Sequence, residues 1–276
     1  MKIGQLGLYV QDEINVNQKL KIILGLRFDK PLYPEQPLEN PAISALSFPG
    51  PDGKPTNYNT GKWPKSTFYP SPRVSVRWDV TGDKSMMVRA GTGIYTGRIP
   101  FVYLTNMPTN SGMYQVSALA NASQLSQITF SSDPNAWKSL FTAPAAVPNS
   151  AGWVVIDPKY KFPQVWRTNL GFDKKYTKGL TLSVDFMYTK DLNATIMRNI
   201  NQSVPTGTVN LGGSTRQSFV NTSTATRRVY NPYGPVIALE NAKNGGSSFS
   251  ATAQISKSFV KGFYASLAYT FSAAFD

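Results

Sequence analysis

Any chemistry this chain performs falls to guanidinium, carboxylate, amide, hydroxyl and aromatic groups, because its 276 residues include no histidine and no cysteine. Serine–histidine and cysteine–histidine nucleophiles, imidazole bases, and thiolate or imidazole zinc sites are therefore excluded within it, as is a disulfide framework. Arg73, Arg77, Arg89 and Arg167, with Asp79, Asp173 and Asp185, recur on alternate positions of extended segments. They read in two ways: as a polar lining that touches a solute or another part of the protein, or as ion pairs that satisfy one another. The rings of Tyr58, Trp63, Trp137, Trp153, Tyr230 and Tyr233 fall between those segments. There they can stack on a sugar or an apolar solute while an edge hydrogen-bonds, or pack loop on loop. Gly91-Thr92-Gly93 does not extend to a dinucleotide fingerprint, since the next glycine position is Thr96 and no helix follows. Asp12 and Glu13 are neighbours, hence on opposite strand faces, and form no acid–base pair. The expectation is binding, with no enzymatic reaction, cofactor or metal.

The segments that must position these groups are strands. Leu20, Ile22, Leu24, Leu26 and Phe28 alternate with Lys21, Ile23, Gly25, Arg27 and Asp29, the period of a sheet with one apolar face. The same alternation places Val74, Val76 and Trp78 opposite Arg73, Ser75 and Arg77, and Trp166, Thr168, Leu170 and Phe172 opposite Arg167, Asn169, Gly171 and Asp173. With the segments around Leu8, Val88, Val184, Ala251 and Leu267, eight strands are predicted. Short polar turns at Asn15–Gln18, Thr81–Lys84, Tyr176–Gly179 and Val260–Gly262 close four hairpins. Long segments, 30–68, 97–163 and 191–246, join one hairpin to the next, and of the 20 prolines all but Pro70 and Pro72 lie in them.

Strict alternation of short and long connections is the pattern of an outer-membrane barrel, with short periplasmic turns, long extracellular loops and apolar side chains pointing outward. These apolar faces carry no charge, as a lipid-facing wall requires, and Phe28, Trp78, Trp166, Phe172, Tyr188, Phe263 and Phe271 gather toward strand ends, as interfacial girdles do. A soluble β-sandwich that binds carbohydrate has the same period, so the alternation alone does not separate the two. No stretch approaches the roughly 18 apolar residues of a spanning helix. The net charge of +13 is dispersed; it suits outer-membrane lipid and the phosphates of lipopolysaccharide, and nucleic acid is not expected as a partner. In such a barrel the sequons at Asn121, Asn193, Asn201 and Asn221 carry no meaning.

If the short turns are periplasmic, the first strand runs inward and the last runs outward. That polarity, with no apolar leader after Met1, gives the expectation of an internal piece of a longer barrel. Leu8-Tyr9-Val10-Gln11-Asp12-Glu13 with Leu24-Gly25-Leu26-Arg27-Phe28-Asp29, and Ser71-Pro72-Arg73-Val74-Ser75 with Val88-Arg89-Ala90-Gly91-Thr92-Gly93-Ile94-Tyr95, resemble the barrel region of TonB-dependent outer-membrane receptors. The nearest likeness is to the Bacteroidetes receptors with a carboxypeptidase-regulatory-like domain at the N-terminus. The resemblance covers most of the strands and little of the loops. It implies an all-β, antiparallel, up-and-down transmembrane segment of about eight strands, part of a barrel of about 22 strands. It also implies a plug and contact with TonB through an N-terminal region missing here, and active uptake of an unknown solute. A passive pore or adhesin-like barrel is the alternative in the same membrane.

Overall fold

The computed structural model describes residues 2–114, 120–141, 152–219, 227–231 and 233–275, so the sequon at Asn221 lies outside the described residues. β1 (Gly4–Asn15) and β2 (Leu20–Leu32) form the first hairpin. The first long loop carries a single helical turn, α1 (Pro41–Ser44), and the small hairpin β3 (Ser47–Pro49) and β4 (Pro55–Asn57). β5 (Tyr69–Asp79) and β6 (Met86–Thr96) follow, then a second loop with α2 (Phe101–Thr109), α3 (Ala122–Leu125) and β7 (Trp153–Ile156). β8 (Gln164–Lys175) and β9 (Leu180–Asp191) lead to a third loop with β10 (Thr195–Asn199), β11 (Gly207–Leu211), β12 (Ser214–Ser218) and β13 (Val236–Asn241). β14 (Ser247–Ser258) and β15 (Tyr264–Phe275) close the series.

The eight long strands form one sheet in the order β1-β2-β5-β6-β8-β9-β14-β15, every pair antiparallel. Register keeps its two faces chemically distinct. One row of partners runs Leu20, Trp78, Val88, Phe172, Val184, Ala253, Tyr269, and the next row along runs Lys21, Arg77, Arg89, Gly171, Asp185, Thr252, Thr270. A slip of one residue in any strand would exchange the faces, which is what pins the register.

No second layer covers the apolar face among the described residues. Even on inner strands Leu24 is 44% exposed, Leu170 49% and Phe186 52%, values that no sandwich core tolerates, so the soluble-sandwich alternative does not describe this molecule. The outward rows do carry charge, mostly toward their ends: Lys30 on β2, Lys190 opposite Trp166, Lys174 on β8 and Lys257 on β14, with Asp12 on β1, opposite Leu24, lying between Val10 and Ile14 near the short turn. Between Trp166 and Lys174 the outward residues of β8 are Thr168, Leu170 and Phe172. At about 3.4 Å per residue and a tilt of about 40° that interval is roughly 21 Å tall, near the ~25 Å apolar band of outer-membrane barrels.

The deeply buried residues lie mostly in the long loops. One cluster joins Trp63, Ile99, Leu104, Met107, Tyr160 and Phe162; another joins Ile43, Phe48, Tyr58, Trp153, Val155 and Val236. β7 of the second loop pairs in parallel with β13 of the third, and β10 pairs with the other edge of β13. The loops thus build a small folded layer of their own, for which sequence periodicity gave no strands.

Candidate functional site

The inner wall is built from the polar rows of the sheet, and glycines decide what its arginines reach. Arg89 on β6 donates through Nε to Asp173 Oδ2 on β8 (3.0 Å) and through Nη2 to Asp185 Oδ1 on β9 (3.1 Å). To reach β9 it crosses β8 at Gly171, where a β-carbon would stand 2.6 Å from Asp185 Oδ1 and 3.0 Å from Arg89 Nη2. Arg27 holds Asp29 with two bonds, Nε to Oδ2 at 2.7 Å and Nη2 to Oδ1 at 2.8 Å, and Gln5 adds a third at 3.1 Å. Gly7 leaves the space for that group.

The remaining arginines behave differently. Arg73 lies over the Tyr95 ring at 4.4 Å, and Arg167 approaches the same ring at 5.9 Å while donating to Thr189 Oγ1 at 3.3 Å. Gly93, between them in register, lets Arg73 lie flat, because a β-carbon there would meet Arg73 Cγ at 2.9 Å. Neither pairs with a carboxylate, and Arg77 has no side-chain partner, among the described residues. Asp79, expected beside Arg77 as a lumen charge, instead caps the β5–β6 turn by accepting from the backbone N–H groups of Gly82 (2.9 Å) and Lys84 (3.0 Å). A carboxylate at a strand end is drawn to the free amides of a tight turn.

Above the wall, Tyr58, Trp63 and Trp153, candidates for contact with an external ligand or for packing loop on loop, are buried. Tyr58 is 0% exposed, Trp63 stacks on Tyr33 at 5.5 Å and Trp153 packs on Tyr233 at 4.8 Å. Loops of this length need an interior, and large rings supply the most buried area per residue, about 150–250 Å² each. Tyr230 is half-buried, with its ring edge-on to Phe48 and its hydroxyl donating to Ser47 O at 3.0 Å; Trp137, also half-buried, donates to Thr129 O at 2.9 Å. Asn201 fastens Tyr230, Tyr233 and Gly234: it donates to the carbonyls of all three and accepts from Tyr230 N–H.

One polar centre in the loops was missed from sequence. Glu240, fully buried, accepts from Arg198 Nε and Nη2, both at 2.9 Å, and from the Tyr58 hydroxyl at 2.6 Å, while Arg198 Nη2 also donates to Pro49 O at 2.7 Å. Burial, then the Glu240 carboxylate, push the Tyr58 phenol well above its ordinary value. The available signal was a lone carboxylate ending the apolar run Val236-Ile237-Ala238-Leu239, since a buried carboxylate requires a cation or several donors.

The model of the outer membrane beta barrel domain family matches residues 2–276. The chain belongs to that family. As an outer-membrane barrel domain, it turns its apolar rows to lipid, with the short turns periplasmic and the long loops outside, as in this class. The neighbouring rings Trp166 and Tyr188 (6.0 Å), and Phe249 and Phe271 (5.7 Å), make an aromatic belt below the loops. Among solved structures, the barrel domain is similar to the siderophore receptor PirA from Pseudomonas aeruginosa (TM-score 0.52, 12% identity, 99% of this chain and 35% of that one). It is also similar to the outer membrane transporter YddB from Escherichia coli (TM-score 0.51, 14% identity, 99% and 25%) and to the ferric enterobactin receptor PfeA (TM-score 0.52, 12% identity, 98% and 27%). At these identities the likeness is one of fold, and the chain spans between a quarter and about a third of their lengths. No curated protein sequence matches it.

Proposed function

We propose that this domain is one segment of a larger closed barrel, and that the whole protein is a TonB-dependent receptor for active uptake of a solute across the outer membrane. The observation that carries the reading is the pair of sheet edges: β1 and β15 end the eight-stranded order with no partner strand among the described residues. A row of unpaired backbone groups in hydrocarbon costs several kcal/mol per group, so the edges call for further strands. Similarity to receptors and transporters three to four times longer supports the same reading. In it, a plug fills the lumen, TonB supplies energy through the N-terminal region, and the receptor is of the Bacteroidetes type with a carboxypeptidase-regulatory-like domain. Solute is bound by the inner wall and the loops, with Trp137, Tyr230 and Tyr233, whose rings remain partly exposed, as the candidate loop contacts; no bond is made or broken. Lipopolysaccharide surrounds the outward face.

Conductance of the full-length protein in planar bilayers tests this against the passive-pore alternative. A plugged receptor is nearly silent; steady open-channel current would sink the receptor reading.

A further inference from the structure

We propose that a trough on the inner wall between β1 and β5 binds an oxyanion group, a carboxylate or phosphate carried by the solute; the proposal rests on the receptor reading above. The trough has a volume of about 190 Å³ and is floored by Gly25, with Tyr9, Gln11, Arg27 and Arg73 around it. Register sets this arrangement, since Gly25 lies between Gln11 on β1 and Arg73 on β5. At about 30 Å³ per liquid water, it has room for an oxyanion and part of the molecule that carries it.

Charge selects the ligand. Arg89 has two carboxylates of its own, Asp173 and Asp185. Two guanidiniums line the trough and, among the described residues, no carboxylate does; Asp29, buried beside it and also felt by Arg73, has both oxygens held by Arg27. Arg73 is steadied on the Tyr95 ring and pairs with no carboxylate among the described residues, leaving one positive charge open to the lumen. A guanidinium pre-set in orientation offers a planar oxyanion two parallel hydrogen bonds. Gln11 and Tyr9 line the trough and make no side-chain hydrogen bond among the described residues, so an amide and a phenol can complete the shell. Gly25 is not required by the backbone. A β-carbon there would meet nothing nearer than 3.9 Å, so glycine at this point keeps the trough open where a longer side chain would fill it.

The test titrates the purified full-length receptor calorimetrically with citrate and with inorganic phosphate. Both are expected to bind, more weakly as salt is raised, and Arg73→Gln and Gly25→Leu are each expected to weaken binding about tenfold or more. Gly25→Leu removes no charge, so its effect separates a filled trough from a lost field. If neither probe binds, or if Arg73→Gln binds them as the wild type does, the site is overturned. If the wild type binds neither probe and Arg73→Gln instead lowers the unfolding temperature of the unliganded receptor, the trough holds an acidic side chain of the protein itself, and the solute assignment is likewise overturned. The receptor reading is judged separately: uptake that persists in cells lacking TonB would sink it and leave the titration result standing.

Discussion

At the scale of single residues, the inner wall sorts its arginines by what glycine lets them touch. Gly171 is the clearest case, because the bond from Arg89 to Asp185 passes through the space a β-carbon would occupy. Gly171→Val is expected to break that bond and destabilise the barrel by about 1–3 kcal/mol, typical of forcing volume into a filled site, read from urea unfolding in lipid vesicles. The loop triad makes a sharper prediction. Glu240→Ala takes the acceptor from both the Tyr58 hydroxyl and Arg198, which is 35% exposed and keeps contact with water, and is expected to cost about 2–3 kcal/mol. Tyr58→Phe deletes one neutral donor and leaves the ion pair intact, so about 1–2 kcal/mol is expected; amide hydrogen exchange in the first and third loops would rank the two. The tyrosines also give the loops an alkaline limit. Burial pushes the Tyr160 phenol up to about 12, with its bond to Thr195 opposing. A phenol raised in the folded state stabilises fully below its unfolded value of about 10, and that contribution is lost as pH rises through the folded value. Loop stability is therefore expected to fall between about pH 10 and 12, with exposed tyrosines ionising before Tyr160 in an ultraviolet titration; Tyr160 ionising with the exposed ones would contradict it.

At the scale of elements, what was legible in the sequence was what a period of two encodes. The eight long strands, their four short turns and the bounds of the three long loops follow from alternation and proline placement. The row from Lys21 through Arg77 and Arg89 to Asp185 follows once register is added. The loop layer was not legible, because strands such as β7 are only four residues long and buried on both faces. Their pairing with β13 bridges about eighty residues, which no local pattern announces. For the same reason the sequence leaves Tyr58, Trp63 and Trp153 open between ligand contact and loop packing: a ring in a loop looks available until the loop is seen to have an interior. Conversely, outward rows whose charges lie toward the strand ends imply a tolerance that can be measured. Leu170→Arg, at mid-band on β8, is expected to cost about 2–4 kcal/mol, while the same charge at Ala273, near the loop end of β15 and without a polar side chain to lose, is expected to cost about 1 kcal/mol or less. Folding titrations into vesicles would compare them.

At the scale of the whole molecule, one assignment governs the rest: the apolar rows of a single sheet face lipid and the arginine rows face a lumen. The trough, the glycine crossings and the need for more strands beyond β1 and β15 all follow from it. The most direct measurement places a fluorophore, one position at a time, from residue 166 to 174 on β8 of the full-length protein in vesicles, and compares quenching by brominated lipid with quenching by a soluble quencher. The predicted result is strict alternation, with positions 168, 170 and 172 quenched by lipid and 167, 169, 171 and 173 quenched from the aqueous side. Equal quenching of both sets, or protection of the even positions from lipid, would contradict the membrane-spanning sheet.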